Sequence, residues 1–141
     1  VYMFDHTIEG INQLHPNMIW KKEGLASYQN KDERLDTIEN HLLEYGIEKE
    51  NFLLKMDIEG AEFDVFESLS PKLLTRVDQI FIEVHGIGRL TNLDFREKFF
   101  RVFSKINSQF TLCHVHANNF DGSDEFAFIE SMVVPKLLEL T

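Results

Sequence analysis

From Val1 onward, short apolar runs alternate with stretches whose apolar residues recur every three or four positions. That alternation restricts the chain to an α/β sheet with helices on its faces. Val1–Phe4 reads as a strand ending at Asp5, and Asn17–Lys21 as a second. Asp32–Tyr45 carries Leu35, Ile38, Leu42 and Tyr45 on one helical face, closed by Gly46. Phe52–Met56 (FLLKM) is a nearly continuous apolar run of the kind that suits a strand buried on both faces. Past Gly60, residues Phe63, Phe66 and Leu69 mark a short helix ending near Pro71. Gln79–His85 is the next strand. Phe95, Phe99, Val102, Phe103 and Ile106 then give the clearest amphipathic helix of the chain. Phe110–Val115 and Phe126–Val134 are a final pair of strands, joined by the polar loop HANNFDGSDE.

With 141 residues, no internal repeat and no linker, the chain is expected to form one domain, 1–141. Fourteen basic residues face 24 acidic ones, a net charge of -10, which argues against nucleic acid and against an anionic membrane surface as partner. A neutral or cationic small molecule, or a neutral sugar, fits that charge. Cys113 is the only cysteine, so neither an internal disulfide nor a cysteine zinc site is available, and a reduced, cytoplasmic setting is expected. No apolar run approaches the roughly 20 residues that span a bilayer. No signal peptide is visible. The chain opens on VYMFD, which reads as the inside of a strand, so an upstream region is expected to be missing.

Ligands of open α/β sheets bind at the carboxyl edge of the strands. The polar residues just past the expected strands are Asp5 and His6, then Asp57, Glu59 and Gly60, then Glu83 to Gly86, then His116, Asn118 and Asn119. Asp57 and Glu59 lie two positions apart and share a side if the strand continues. The dipole of a helix start explains Glu59 and Glu62, but not Asp57, which directly follows the apolar run. His85, two positions after Glu83, reads equally as a general base or as a hydrogen-bonded core histidine. His116 and Asn118 are also good turn chemistry. His6, His15 and His41 read as surface or structural groups.

The stretch KMDIEGAEFDVF, Lys55 to Phe66, resembles the FkbM-type methyltransferases, whose core motif reads K-[IVM]-D-[IV]-E-G-[AS]-E. Lys55, Asp57, Glu59, Gly60 and Glu62 match it. VYMFDHT, LDTIENHL, IFIEVHG, HVHANNF and VVPKLLELT resemble further segments of that family, in order. The resemblance implies a Rossmann-like class I methyltransferase sheet, mostly parallel with an antiparallel C-terminal strand, and S-adenosylmethionine as cofactor. It implies that Asp5, with His6 beside it, binds the cofactor ribose, the bland alternative being a turn cap. It also implies a cofactor-binding and catalytic role for Asp57, with Glu59 and His85 as further catalytic residues. Glu83, His116, Asn118 and Asn119 would then receive a small-molecule or carbohydrate acceptor. Asp57, Glu83, His85 and Asn118 suit a divalent cation, but no ligand spacing supports one, and the expected site holds no metal.

Such folds begin with a strand and a Gly-rich loop, and the chain has no G-x-G-x-G. An N-terminally truncated sheet is therefore expected, with weak or no cofactor binding by these residues alone. The activity implied is O-methylation of a sugar or glycoconjugate hydroxyl by direct displacement. Competing readings are a non-catalytic binding or assembly module built on the same fold, and a metal-dependent α/β hydrolase.

Overall fold

A computed structural model describes residues 1–12, 15–117 and 129–135. The chain divides into two compact units, Val1–Lys49 and Glu50–Thr141.

In the first unit β1 (Tyr2–Phe4) pairs in parallel with β2 (Ile19–Lys21), and β3 (Gly24–Leu25) in parallel with β4 (Leu35–Asp36). The helix expected over Asp32–Tyr45 is shorter: α1 spans Ile38–Glu44. Leu35 belongs to β4, and Thr37 starts the helix by accepting the Asn40 N–H on its hydroxyl at 3.2 Å. A side-chain oxygen there satisfies a donor that the first turn leaves without a partner, which fixes the start. At the other end Gly46 adopts φ 69°, and the N–H groups of Gly46 and Ile47 return to the carbonyls of Leu43 and Leu42 at 3.2 and 2.9 Å. This closes the helix where expected. The Phe4 ring lies 4.5 Å from the buried His41 ring, and Tyr2 stacks 5.5 Å from Tyr45.

The second unit holds a four-stranded sheet of β5 (Phe52–Met56), β6 (Val77–Val84), β7 (Phe110–Ala117) and β8 (Ile129–Pro135), in the order β5-β6-β8-β7. β5 and β6 are parallel, and β8 is antiparallel to both β6 and β7. Three strands therefore run one way and β8 alone runs against them. The described strands form three sheets where one was expected, because each short N-terminal pair completes its ladder within itself.

α2 (Glu62–Ser68), the single turn α3 (Pro71–Leu74), a 3-10 turn (Ile87–Thr91) and α4 (Leu93–Asn107) complete the unit. Pro71 opens α3 as well as following α2, with Ser70 Oγ accepting the Leu73 N–H at 3.1 Å. β5 is not buried on both faces. Leu54 and Met56 are buried, whereas Leu53 is 64% exposed and Lys55 faces solvent. As the edge strand it buries one alternating set of side chains. Phe63 of α2 packs 5.0 Å from Phe95 and 5.7 Å from Phe99 of α4. Lys98 pairs with Asp64 at 2.6 Å and Arg101 with Glu67 at 3.0 Å, fastening the exposed side of the same contact. Among the described residues, no helix is long and apolar enough to cross a membrane.

Candidate functional site

Parallel pairing sends the carboxyl ends of β5 and β6 to one edge, and the register sets Met56 opposite Ile82. The chain leaves β5 at Met56 and turns back into α2 through Glu59 and Gly60, at φ 54° and 102°. Glycine takes such angles freely, whereas a residue with a Cβ does so at a cost of about 1–2 kcal/mol. What holds the turn is Glu62. Its Oε1 accepts the N–H groups of Ile58 and Gly60 at 3.1 and 3.2 Å, and it meets His85 Nδ1 at 2.8 Å. Glu62 is 1% exposed, so these bonds replace solvation of a buried carboxyl.

His85 is the first residue past β6, and Gly86 (φ 73°) turns the chain away behind it. A carboxylate only accepts, so Glu62 assigns the ring proton to Nδ1. The other nitrogen, Nε2, then lies 3.5 Å from Glu59 Oε2 and 3.7 Å from Asp57 Oδ1. Three carboxyl groups thus surround one buried imidazole. The side chain of His85 is 10% exposed, against 39% for Asp57 and 87% for Glu59, so the group opens to solvent on the acid side.

The structure brings together Asp57, Glu59 and His85, three of the residues expected at the site. It does so differently from the sequence reading. Asp57 and Glu59 reach the same side through the left-handed turn, because the strand has already ended. His85 likewise lies beyond the strand, so its shared register with Glu83 stops at Val84. Glu83 is half-buried and stands opposite Glu130 in β8; His116 of β7 stands opposite the same residue. His116 is exposed, with its ring 6.4 Å from that of His114. It shares the carboxyl edge with His85 but sits two strands over, roughly 10 Å at normal strand spacing. Asn118 and Asn119 lie outside the described residues.

In the first unit, Asp5 Oδ1 accepts the Thr7 N–H at 2.7 Å and the Thr7 hydroxyl at 2.6 Å. These bonds, the hydroxyl first, hold the Asp5 carboxyl below its usual range. The turn cap weighed in the sequence is thus present. His6 is exposed, with its ring over Gly24, where an added Cβ would lie 2.4 Å from His6 Nδ1. A second acidic group gathers Glu23, His41 and Glu44. Both nitrogens of His41 are engaged there, Nε2 by the Gly24 carbonyl and Nδ1 by Glu23 Oε2, each at 3.2 Å. Tyr45 donates to Glu23 at 2.9 Å, and burial followed by that carboxylate pushes the phenol well above its ordinary value. This group lines a cavity of about 440 Å³ with Lys22, Lys31 and Arg34. None of the expected site residues lines it.

Sequence reasoning missed Glu62 as part of the site. Its signals were its place in the matched motif and its position: two residues after a glycine and four after Ile58, it can accept the N–H groups of the turn that precedes its own helix.

Acids and an imidazole gathered past parallel strand ends are the arrangement in which α/β domains hold small ligands. Residues 20–130, more than half of the chain, match the family model described as the methyltransferase FkbM domain. The chain belongs to this family of methyltransferase domains. No curated protein and no solved structure matches it.

Proposed function

We propose that the protein is an S-adenosylmethionine-dependent O-methyltransferase acting on a hydroxyl of a sugar or glycoconjugate. The observation that carries this reading is the convergence of Asp57, Glu59 and His85 at the carboxyl edge of β5 and β6. The donor chemistry fits the cofactor. Asp5 is an ionised, turn-fixed carboxylate of the kind that accepts ribose hydroxyl groups, with His6 next to it. In the second unit, Asp57 suits a cationic ligand. When bound, S-adenosylmethionine supplies an electrophilic methyl group.

The chain's own residues prepare the acceptor. Asp57 and Glu59 orient its hydroxyl by accepting a hydrogen bond. His85 Nε2 takes the hydroxyl proton, while Nδ1–H stays donated to Glu62 and spreads the resulting positive charge. With the cofactor bound, the acceptor oxygen would attack its methyl carbon in line, forming the O–CH₃ bond as the S–CH₃ bond breaks and S-adenosylhomocysteine leaves. Glu83 and His116, with Asn118 and Asn119, are the hydroxyl-binding groups of the same edge in this reading.

The test is transfer of labelled methyl from S-adenosylmethionine to a panel of neutral glycosides, with amine and carboxylate acceptors as controls. Label on glycoside oxygen is expected, and Asp57→Ala should lower turnover by more than about 100-fold with circular dichroism unchanged. Unchanged turnover in that variant, or label only on nitrogen, overturns the reading.

A further inference from the structure

We propose that the cavity of the first unit binds the phosphate group of a small molecule, held by Lys31 and Arg34 with Lys22. Its volume of about 440 Å³ lies in the range of small-ligand pockets, roughly 300–1,000 Å³. One turn carries the proposal. Lys31, Asp32, Glu33 and Arg34 are four charged residues in a row, all exposed. The backbone groups of Asn30 and Leu35 bond each other in both directions at 2.8 and 2.9 Å. Asn30 Oδ1 accepts the N–H groups of Asp32 and Glu33 at 3.1 and 3.3 Å, which fixes the turn from inside. So held, the turn sorts its charges: both bases line the cavity and neither acid does. A turn that served solvation alone has no reason to separate them.

The backbone adds a second observation. Arg34 adopts φ 57°. Glycine takes that conformation freely, whereas a long side chain does so against its own Cβ. No side-chain bond repays this cost. Neither Arg34 nor Lys31 has a hydrogen-bond or ion-pair partner for its side chain among the described residues. Glu9 feels the Arg34 charge but bonds Lys22 instead. Strain kept at a residue whose side chain is uncommitted points to a ligand contact.

The acids around the cavity supply the third. Glu23 accepts the Tyr45 hydroxyl at 2.9 Å and meets His41 Nδ1 at 3.2 Å. Asp36 accepts from Gln29 and Asn40, each at 2.6 Å, and from the Thr37 N–H at 2.7 Å. Both carboxylates are occupied by donors of the chain itself and leave Lys31 and Arg34 without a bonded counter-charge. A guanidinium offers a planar fork of N–H donors and an ammonium a point charge, and together they match phosphate oxygens. Glu44 remains as an exposed like charge at the rim. None of Asp57, Glu59 and His85 lines this cavity, so the inference stands apart from the proposed methyl transfer.

The test is calorimetric titration of the purified chain with sodium pyrophosphate, and with sodium acetate at matched ionic strength as control. No S-adenosylmethionine is present, so a failed titration leaves the methyl-transfer reading untouched. One site with a Kd of about 1 mM or tighter is expected for pyrophosphate, and none for acetate. Arg34→Gln and Lys31→Gln should each weaken it about tenfold through loss of a charge-assisted bond. Arg96→Gln in α4 removes the same charge elsewhere and should leave it unchanged. Glu44→Gln should tighten it. Arg34→Gly should unfold at the same or a higher urea concentration than the parent, yet lose the binding. No binding at about 10 mM pyrophosphate, equal binding of acetate, or binding that survives Arg34→Gln combined with Lys31→Gln overturns the proposal. Weaker binding in Glu44→Gln would assign the cavity to a cation and overturns it too. A lowered urea midpoint in Arg34→Gly would give Arg34 a structural role, with the same result.

Discussion

Replacing Glu62 with alanine removes one acceptor and leaves three donors behind: the N–H groups of Ile58 and Gly60, and His85 Nδ1. A buried donor without a partner costs about 1–3 kcal/mol, and the turn is able to rewet only in part, so Glu62→Ala should lose about 3 kcal/mol in urea unfolding. Glu62→Gln keeps an oxygen for the same donors and should lose less than half as much. A loss below 1 kcal/mol in the alanine variant would mean that the turn holds without this carboxyl. Glu59 predicts the opposite pattern. It occupies φ 54° with its side chain 87% exposed, so its 3.5 Å approach to His85 Nε2 is screened by solvent and rewards a glutamate only weakly. Glycine would relieve about 1–2 kcal/mol of backbone strain and return about 0.5–1 kcal/mol through a looser unfolded chain. Glu59→Gly should therefore unfold within about 1 kcal/mol of the parent while losing turnover. A large destabilisation would make Glu59 a structural residue instead. The acids of this motif were readable in the sequence because they interrupt an apolar run. The division of labour among them was not, since it depends on which carboxyl folds back under the turn.

Among the elements, α4 was the most legible, because five large apolar residues share a face over three turns. Periodicity shows which side is inward, and Phe63 of α2 meets it there. The same pattern says nothing of Lys105, whose ammonium donates to the carbonyls of Phe66 and Glu67 at 2.9 Å and also to that of Leu69. These are carbonyls at the C-terminal end of α2, which its own ladder leaves unbonded, and a cation there also complements the helix dipole. Lys105→Met keeps the stem but not the charge. It should cost about 1–2 kcal/mol, discounted for the water that reaches the exposed carbonyl of Glu67. A calorimetric melt checks it, and an unchanged melting temperature would show that water serves α2 equally well. β3 and β4 were illegible for a different reason. A two-residue strand has no period, and Leu35 fits a helical face as readily as the ladder it occupies. β5 was over-read, since five residues such as FLLKM do not show whether a second face is covered.

At the scale of the whole molecule, two opposing effects set the response to pH. The net charge of -10 at pH 7 makes compaction self-repulsive, and approach to a pI of about 5.0 removes that repulsion. Particular carboxylates work the other way. Burial pushes the Asp36 carboxyl up, but Asn40 and Gln29, with the Thr37 N–H, donate to it and hold it below its ordinary value of 3.8. Asp5 is lowered by Thr7 in the same sense. A group depressed on folding adds stability that is present above its unfolded value and is lost as pH falls through the folded one. Between pH 7 and 5 both acids stay ionised, so the falling repulsion dominates and stability should rise. Below about pH 4 their contribution disappears while positive charge accumulates, and stability should drop. Salt separates the two, because 0.5 M NaCl shortens the Debye length to a few ångströms but barely weakens hydrogen bonds at contact distance. Urea midpoints across this range should therefore peak near pH 5 to 6 at low salt. In 0.5 M NaCl the limb from pH 7 to 5 should flatten while the acid limb remains, and Asp36→Asn should make the acid limb shallower. An acid limb that vanishes with salt would assign the loss to overall charge, and the hydrogen bonds around Asp36 would then have no part in it.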